Sequence, residues 1–435
     1  MKQRGRHRRR RRGRAVRGFL TGTALALTAA ATMISASQAT VADGPGALKP
    51  LTSAAATDAL RLTEEPVPAA DLDRLAAGMG TPLGVDEVLR GAGRALRDTV
   101  DCTAGERAAL PLTPTATRAY CWNTDDTDGW RPGAVTTSGD ADEDGMWGAH
   151  RVILSGWSRA VGPADGRGLA RIAFVNADNL NRPTYTWGLL AVPVDGGRDY
   201  RGLVSRVSGM VWYQDKLLVT ADDDGGGTAL YVYDVNRVHR ATVTGTAIGR
   251  VPGGWSADGA PYVLPAVAAY RLSGGPRAPH PATVSLDRST APDTLVAGEW
   301  TLDGGDRRAR LWRYAFDAAP GRSGLLAGDP ADPGGRVGAT EAYTTKATGL
   351  HSVLAYRGTW YLSRTGGDGD GRGTLWRQDS EGARAARCGA DDSRHCWSPG
   401  TESLSYWTAT GEVWAQSGRT LFALPLASVD GAARQ

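Results

Sequence analysis

The stretch "DADEDG" at 140–145 sets three carboxylates at alternate positions ahead of a glycine. Asp140, Asp142, Asp144 and Gly145 match the opening of a D-x-D-x-D-G calcium loop, where alternate side chains on a tight turn converge on a hard cation. The carbonyl of Met146 would supply position seven. Position twelve, which calls for a bidentate glutamate, is Arg151, and position nine is Gly148. The ligand set is incomplete, and the competing reading is an acidic, solvated loop between strands. Calcium is the one cofactor the sequence suggests. The acidic Gly loops at 123–130, 221–227 and 366–373 do not complete the pattern and read as exposed turns.

Other chemistry is sparse. G-x-S-x-G, HExxH and P-loop patterns are absent from the sequence. Beyond the first 42 residues the histidines are His150, His239, His280, His351 and His395. His351 opens a run that reads as an inner strand, so it is the one expected to face a channel. A solitary histidine is otherwise a packed or exposed residue.

These residues need elements to hold them, and the elements begin after an export segment. The N-terminus "MKQRGRHRRRRRGRAVRG" carries ten bases and no acid, and is followed by the apolar run 19–33 and the small-residue run "ISASQATVA". That order describes a secretory signal peptide over 1–42, with cleavage after Ala39 or Ala42. The apolar run falls short of the roughly 20 residues a membrane span needs. The whole chain has a formal charge of +4, but removing those ten bases leaves 40 against 46 acids, or −6. The charge of the mature chain therefore gives no case for nucleic acid or acidic lipid. Four cysteines in an exported chain imply two disulfides. The local pairings Cys102–Cys121 and Cys388–Cys396 are expected among three possible connectivities. With no CxxC, a redox or zinc role is not indicated.

Residues 43 to 70, rich in Ala, Pro, Thr and Gly, read as a flexible or extended leader. "ADLDRLAAGM" and 85–100 show helical spacing, with Leu89, Ala92, Leu96 and Val100 on one stripe. The leader with its short helices thus spans 43–114. From 115 to 435 short Val/Leu/Tyr/Trp runs alternate with turn residues, the all-β signature.

Those runs repeat. The order "GMVWY", "LLVTA", "ALYVYDV" within 208–235 recurs upstream over 133–178. Downstream it recurs as "ATVSLD…TLVAGEW…ARLWRYAFD", "HSVLAYRG…TWYLSRT…GTLWRQD" and "ESLSYWTA…GEVWAQS…RTLFALPLA". The third run ends in Asp at Asp234, Asp317 and Asp379, where the side chain can cap the next turn. A fourth strand is available between copies at 185–194, 262–272, 339–346 and 383–388. The fifth copy runs out of chain, and its fourth strand is expected from 115–122.

Four antiparallel strands repeated radially predict a five-bladed β-propeller with shared-strand closure. The tryptophans in these strands (Trp212, Trp300, Trp312, Trp360, Trp376, Trp407, Trp414) are expected to fill the spaces between blades. A β-sandwich, or a sixth degenerate blade hidden in 241–275, is the alternative.

"SGMVWYQDKLLVTA…LYVYDV" and "DGWRPGAVTTSGDA…VILSGW" resemble strands of a group of secreted actinobacterial β-propeller-like proteins without an assigned activity. In them a Gly-Met/Ile-x-Trp-Tyr strand precedes "LLVAD". The resemblance spans 120–430 and implies a secreted propeller. Where the group would place a histidine before the glycine, this chain reads "RVSGM".

Two functional readings follow. The first is a secreted, monomeric binding protein for a glycan, a cell-envelope polymer or a protein, using loop-borne Trp, Tyr and Asp. The second is a metal-assisted hydrolase or lyase with its site at the channel mouth. Channel-mouth aromatics freed from packing would favour the first, and carboxylates gathered around His351 the second.

Overall fold

Alternating apolar and β-branched side chains, broken by Gly, Asp and Pro turns, build strand after strand beyond residue 117. The computed structural model describes residues 44–160, 168–222, 228–272, 281–301, 308–332, 334–366, 371–388 and 393–434. Pro45–Gln435 form one compact unit. The export segment, His280, 223–227 of the acidic loop 221–227 and 367–370 of the loop 366–373 lie outside the described residues.

The strands form five four-stranded antiparallel blades. Blade 1 runs, inner to outer, Trp130–Thr137, Val152–Arg159, Ala170–Asn176 and Thr184–Val194. Blade 2 is Met210–Tyr213, Lys216–Asp222, Thr228–Asp234 and Tyr262–Leu272. Blade 3 is Pro281–Asp287, Thr294–Glu299, Ala309–Ala315 and Glu341–Thr345. Blade 4 is Leu350–Tyr356, Thr359–Arg364, Thr374–Gln378 and Ala383–Ala385. Blade 5 is Leu404–Trp407, Glu412–Ser417 and Thr420–Pro425, completed by Arg118–Cys121 from the other end of the chain. The shared-strand closure expected from the sequence is therefore present. Among the described residues of 241–275 no sixth blade forms: they hold the two-stranded hairpin Ile248–Val251/Gly254–Ala257, packed on Asp199–Gly202 at the edge of blade 1, and the outer strand of blade 2.

Blades packed on both faces must be apolar on both faces. Five hydrophobic clusters fill the five spaces between successive blades. Val152, Phe174, Trp212 and Leu217 lie between blades 1 and 2, and Val211, Leu230, Leu295 and Trp312 between 2 and 3. Val296, Leu311, Val353 and Trp360 lie between 3 and 4, and Leu354, Tyr361, Val413 and Phe422 between 4 and 5. Tyr120, Trp414, Ile153 and Trp157 close the ring between 5 and 1. Most strand tryptophans fill these spaces as expected; Trp300 does not, being 47% exposed.

The aspartates ending the third strands cap their turns. Asp234, Asp317 and Asp379 each accept from the backbone N–H two residues on, at 2.9 Å. Lys216, Arg322 and Arg377 neutralise them at 3.3, 3.1 and 3.0 Å.

The leader differs from a flexible tail. It is a strap that circles the rim and satisfies the outer edges. Gly46 accepts from Gln378 and Leu48 donates to Asp379 O, both on blade 4. Lys49–Pro50 pair with the outer strand of blade 3, Leu62–Pro66 with that of blade 2, Arg94–Ala95 with that of blade 1 and Arg97–Asp98 with that of blade 5. Helix Ala69–Met79 forms on the way. The helical stripe over 85–100 is corrected: the helix is only Val85–Arg90. Gly91 and Gly93 end it, and residues 94–98 hydrogen-bond to blade edges instead. Leu96 is buried, while Val100 is 81% exposed. Both expected disulfides are present, Cys102–Cys121 and Cys388–Cys396. Among the described residues no helix is long and apolar enough to cross a membrane.

Candidate functional site

The inner strands all run from one mouth of the ring, here the upper, to the other. At the upper mouth three of them are irregular. The register shifts between Pro132 and Val135 in blade 1, Pro281 and Thr283 in blade 3, and Leu350 and Ser352 in blade 4. Such bulges re-aim a side chain and end regular pairing. In blade 4 the inserted residue is His351. In blade 1 the bulge holds Gly133, where a Cβ would lie 2.0 Å from the carbonyl oxygen of Val207. Only glycine lets blade 2 approach that closely.

The last hairpin-paired residues of the inner strands of blades 2, 3, 4 and 5 are Tyr213, Asp287, Tyr356 and Trp407. Counting back equally from each brings Ser208, Ala282, His351 and Glu402 to one level. Glu402 is largely buried. Its Oε1 is 3.9 Å from His351 Nδ1 and pairs with the guanidinium of Arg206, which is 57% exposed. Its carbonyl accepts from Thr283 Oγ1 at 3.3 Å, which reaches across from blade 3. One acceptor-only group thus sits between a donor-only group and an imidazole, and the arrangement is open to solvent through Arg206.

The exposed indole of Trp300 belongs to the same mouth. It follows Glu299, paired with Pro281 at the start of blade 3. Next comes Thr301, whose carbonyl accepts from Gly349 N–H, two residues before His351. The hydroxyls of Thr301 and Ser352 are buried and have no hydrogen-bond partner among the described residues.

At the lower mouth Asp140 turns inward. Its Oδ2 accepts from Thr136 Oγ1 at 2.6 Å and from Ser405 Oγ at 2.7 Å, joining blade 1 to blade 5. Burial pushes its carboxyl up to about 6, against the pull of those hydrogen bonds. Arg288 donates to the Asp140 carbonyl and pairs with Asp293, whose carboxyl burial also raises. Asp142 and Asp144 stay outside, accepting from the N–H groups of Asp144 at 3.5 Å and Met146 at 2.8 Å. The three carboxylates predicted to share a cation are not gathered around one point. Among the described residues the metal-sized grouping of His, Cys, Asp or Glu ligand atoms is Cys102, Glu106 and Cys121. Two of these are the disulfide, and Glu106 is held by Arg97.

Of the remaining histidines, His239 is buried and bonded to Gly80 O. His150 sits between Asp178 and Asp86. His351 with a carboxylate beside it was among the arrangements the sequence left open, but Arg206 and Glu402 were not singled out. The signal for Glu402 lay in the repeat alignment, because "HSVLAY" and "ESLSYW" begin with the two residues that meet.

No protein-family model matches the chain, and no curated protein matches it. Solved structures with some likeness include a gluconolactonase from Xanthomonas campestris, 15% identical, covering 77% of this chain and 98% of that one, with a TM-score of 0.28. Another is the extracellular domain of a B. thetaiotaomicron protein ascribed to a one-component system, 10% identical, covering 73% of this chain and 41% of that one, with a TM-score of 0.28. The chain thus spans less than half of the second. At such TM-scores neither likeness bears on function, and the five-bladed ring rests on its own strand pairing.

Proposed function

We propose that this is an exported propeller that binds an extracellular ligand at the upper mouth, through Arg206, Glu402, His351 and Trp300. The observation that carries this reading is the convergence of Arg206 and His351 on Glu402 at the mouth that also exposes the Trp300 indole. Aromatic surface with a few aimed polar groups is the usual make-up of a ligand site. The glycan, cell-envelope polymer or protein ligands suggested by the sequence all fit such a mouth. Export rests on the N-terminal sequence, and two disulfides accord with it.

The test is retention of the mature chain, from residue 43, on isolated cell envelopes and on protein-free envelope polysaccharide. Loss of retention in Arg206→Ala/His351→Ala/Glu402→Ala, with an unchanged circular dichroism spectrum, supports the mouth as the site. Undiminished retention overturns it.

The hydrolase or lyase reading is favoured by one feature, an imidazole set beside a carboxylate, the pairing of a general base and its orienting acid. Turnover of an envelope polymer that disappears in His351→Ala would establish it. Calcium enters through Asp142 and Asp144, and Asp140 joins them only by leaving Thr136 and Ser405. A calcium-dependent rise in Tm, lost in Asp142→Ala/Asp144→Ala, would assign that loop a cation.

A further inference from the structure

We infer that the ligand of the upper mouth is an uncharged sugar bearing a vicinal diol, an inference that rests on the binding site proposed above. Three observations support it.

The first is charge balance. Arg206 is already compensated by Glu402. An anionic ligand drawn to the guanidinium would meet the Glu402 carboxylate beside it, and like charges at that distance repel. A hydroxyl meets no such penalty.

The second is the donor and acceptor pattern. The guanidinium only donates and the carboxylate only accepts. Set side by side, they complement two neighbouring hydroxyls, one accepting from Arg206 while the other donates to Glu402.

The third is Trp300. Large apolar side chains in this protein are almost all buried between blades, yet this indole is 47% exposed at the mouth. A flat π-face suits the C–H face of a pyranose ring, one side apolar and the edge polar.

The experiment measures binding of the mature chain by tryptophan fluorescence and calorimetry. The probes are maltotriose, cellotriose, the β-1,4-linked N-acetylglucosamine trimer and the galacturonic acid trimer. Wild type is compared with Trp300→Ala and Glu402→Gln, each checked for an unchanged circular dichroism spectrum. At least one neutral trisaccharide should bind, at least tenfold weaker in both variants, with the uronate trimer at least tenfold weaker than that neutral sugar. Preferential binding of the uronate that is lost in Trp300→Ala overturns the neutral class but keeps the mouth as the site. Neutral binding untouched in both variants overturns the mouth itself. Failure of every trisaccharide overturns the sugar inference, and the envelope-retention assay then decides the mouth separately.

Discussion

His351 on the inner strand of blade 4 and Glu402, two residues ahead of that of blade 5, meet with Nδ1 3.9 Å from Oε1. The Glu402 side chain reaches the connection between blades 1 and 2 through Arg206. The 3.9 Å separation is too long for a hydrogen bond, and the partner of Glu402, Arg206, is more than half exposed. His351→Ala, and Glu402→Gln, which keeps an acceptor for the exposed Arg206, should each change the unfolding free energy by about 1 kcal/mol or less. The neighbouring Leu350 and Val353 are fully buried, and Val353→Ala should cost clearly more than either. Urea unfolding of the three variants checks this. A large loss at His351 or Glu402 would make them structural and remove the case for the mouth.

Asp140 gives the protein a pH dependence of known sign. Its carboxyl titrates near 6 in the fold against an ordinary 3.8. The folded state therefore holds its proton more tightly than the unfolded chain. The burden of burying the charge is full above pH 6, and stability rises as pH falls from there toward 3.8. A shift of that size corresponds to about 3 kcal/mol. Asp140→Asn keeps an acceptor for Thr136 and Ser405 but cannot titrate. The stability difference between wild type and variant should move by about that amount between pH 7 and pH 4 in favour of wild type at acid pH. Parallel curves would show that the carboxyl is not perturbed.

His150 works in the opposite direction. Its Nδ1 faces Asp178 at 2.6 Å and its Nε2 faces Asp86 at 2.8 Å. A neutral imidazole has only one N–H, so both contacts are satisfied only by the imidazolium. The two carboxylates accordingly raise its pKa, most through the hydrogen bond to Asp178. Stability from this contact is full below 6.5 and is lost as pH rises through the folded value. Because Asp86 lies on helix Val85–Arg90 and Asp178 lies between the third and fourth strands of blade 1, the contact fastens the strap to the ring. Amide exchange in 85–90 should be faster in His150→Ala than in wild type at pH 5.5, and equal at pH 9. Equal exchange at both would deny the clasp.

The repeat unit, the five blades and the closing strand from 115–122 were legible because each depends on local alternation and on turn chemistry. The strap was not. Residues 45–66 carry Ala, Pro and Thr with no periodicity, and apart from a helical turn at Ala54–Asp58 their paired stretches are fixed by the strand edges they cover, which lie hundreds of residues away in sequence. The 85–100 stripe misled for a related reason: Leu96 is apolar because it buries against Tyr120 and Trp122, not because it continues a helix. At the upper mouth His351 was legible as a strand-opening residue. Arg206 was not, because it sits in a connection whose course no periodicity reports. At the lower mouth the spacing of Asp140, Asp142 and Asp144 was visible, but not that a helical turn at Ser138–Ala141 would direct the first into the ring.

The strap ends at a disulfide, which makes its contribution measurable. Cys102–Cys121 fastens it to the outer strand of blade 5 across a separation of 19 residues. The same segment is held by Arg97 to Glu106, and by Thr420 Oγ1, which donates to Glu106 O at 2.8 Å. Removing a cross-link of this length costs about 3 kcal/mol through the entropy returned to the unfolded chain. Cys388–Cys396 closes only 8 residues within one connection. Cys102→Ser/Cys121→Ser should therefore lower the urea midpoint and also speed amide exchange at 97–98 and 118–121, where the propeller closes. Cys388→Ser/Cys396→Ser should lower stability while leaving exchange at those closing strands unchanged. If exchange at 118–121 were unaffected by loss of Cys102–Cys121, the strap would decorate the closure of the ring without securing it.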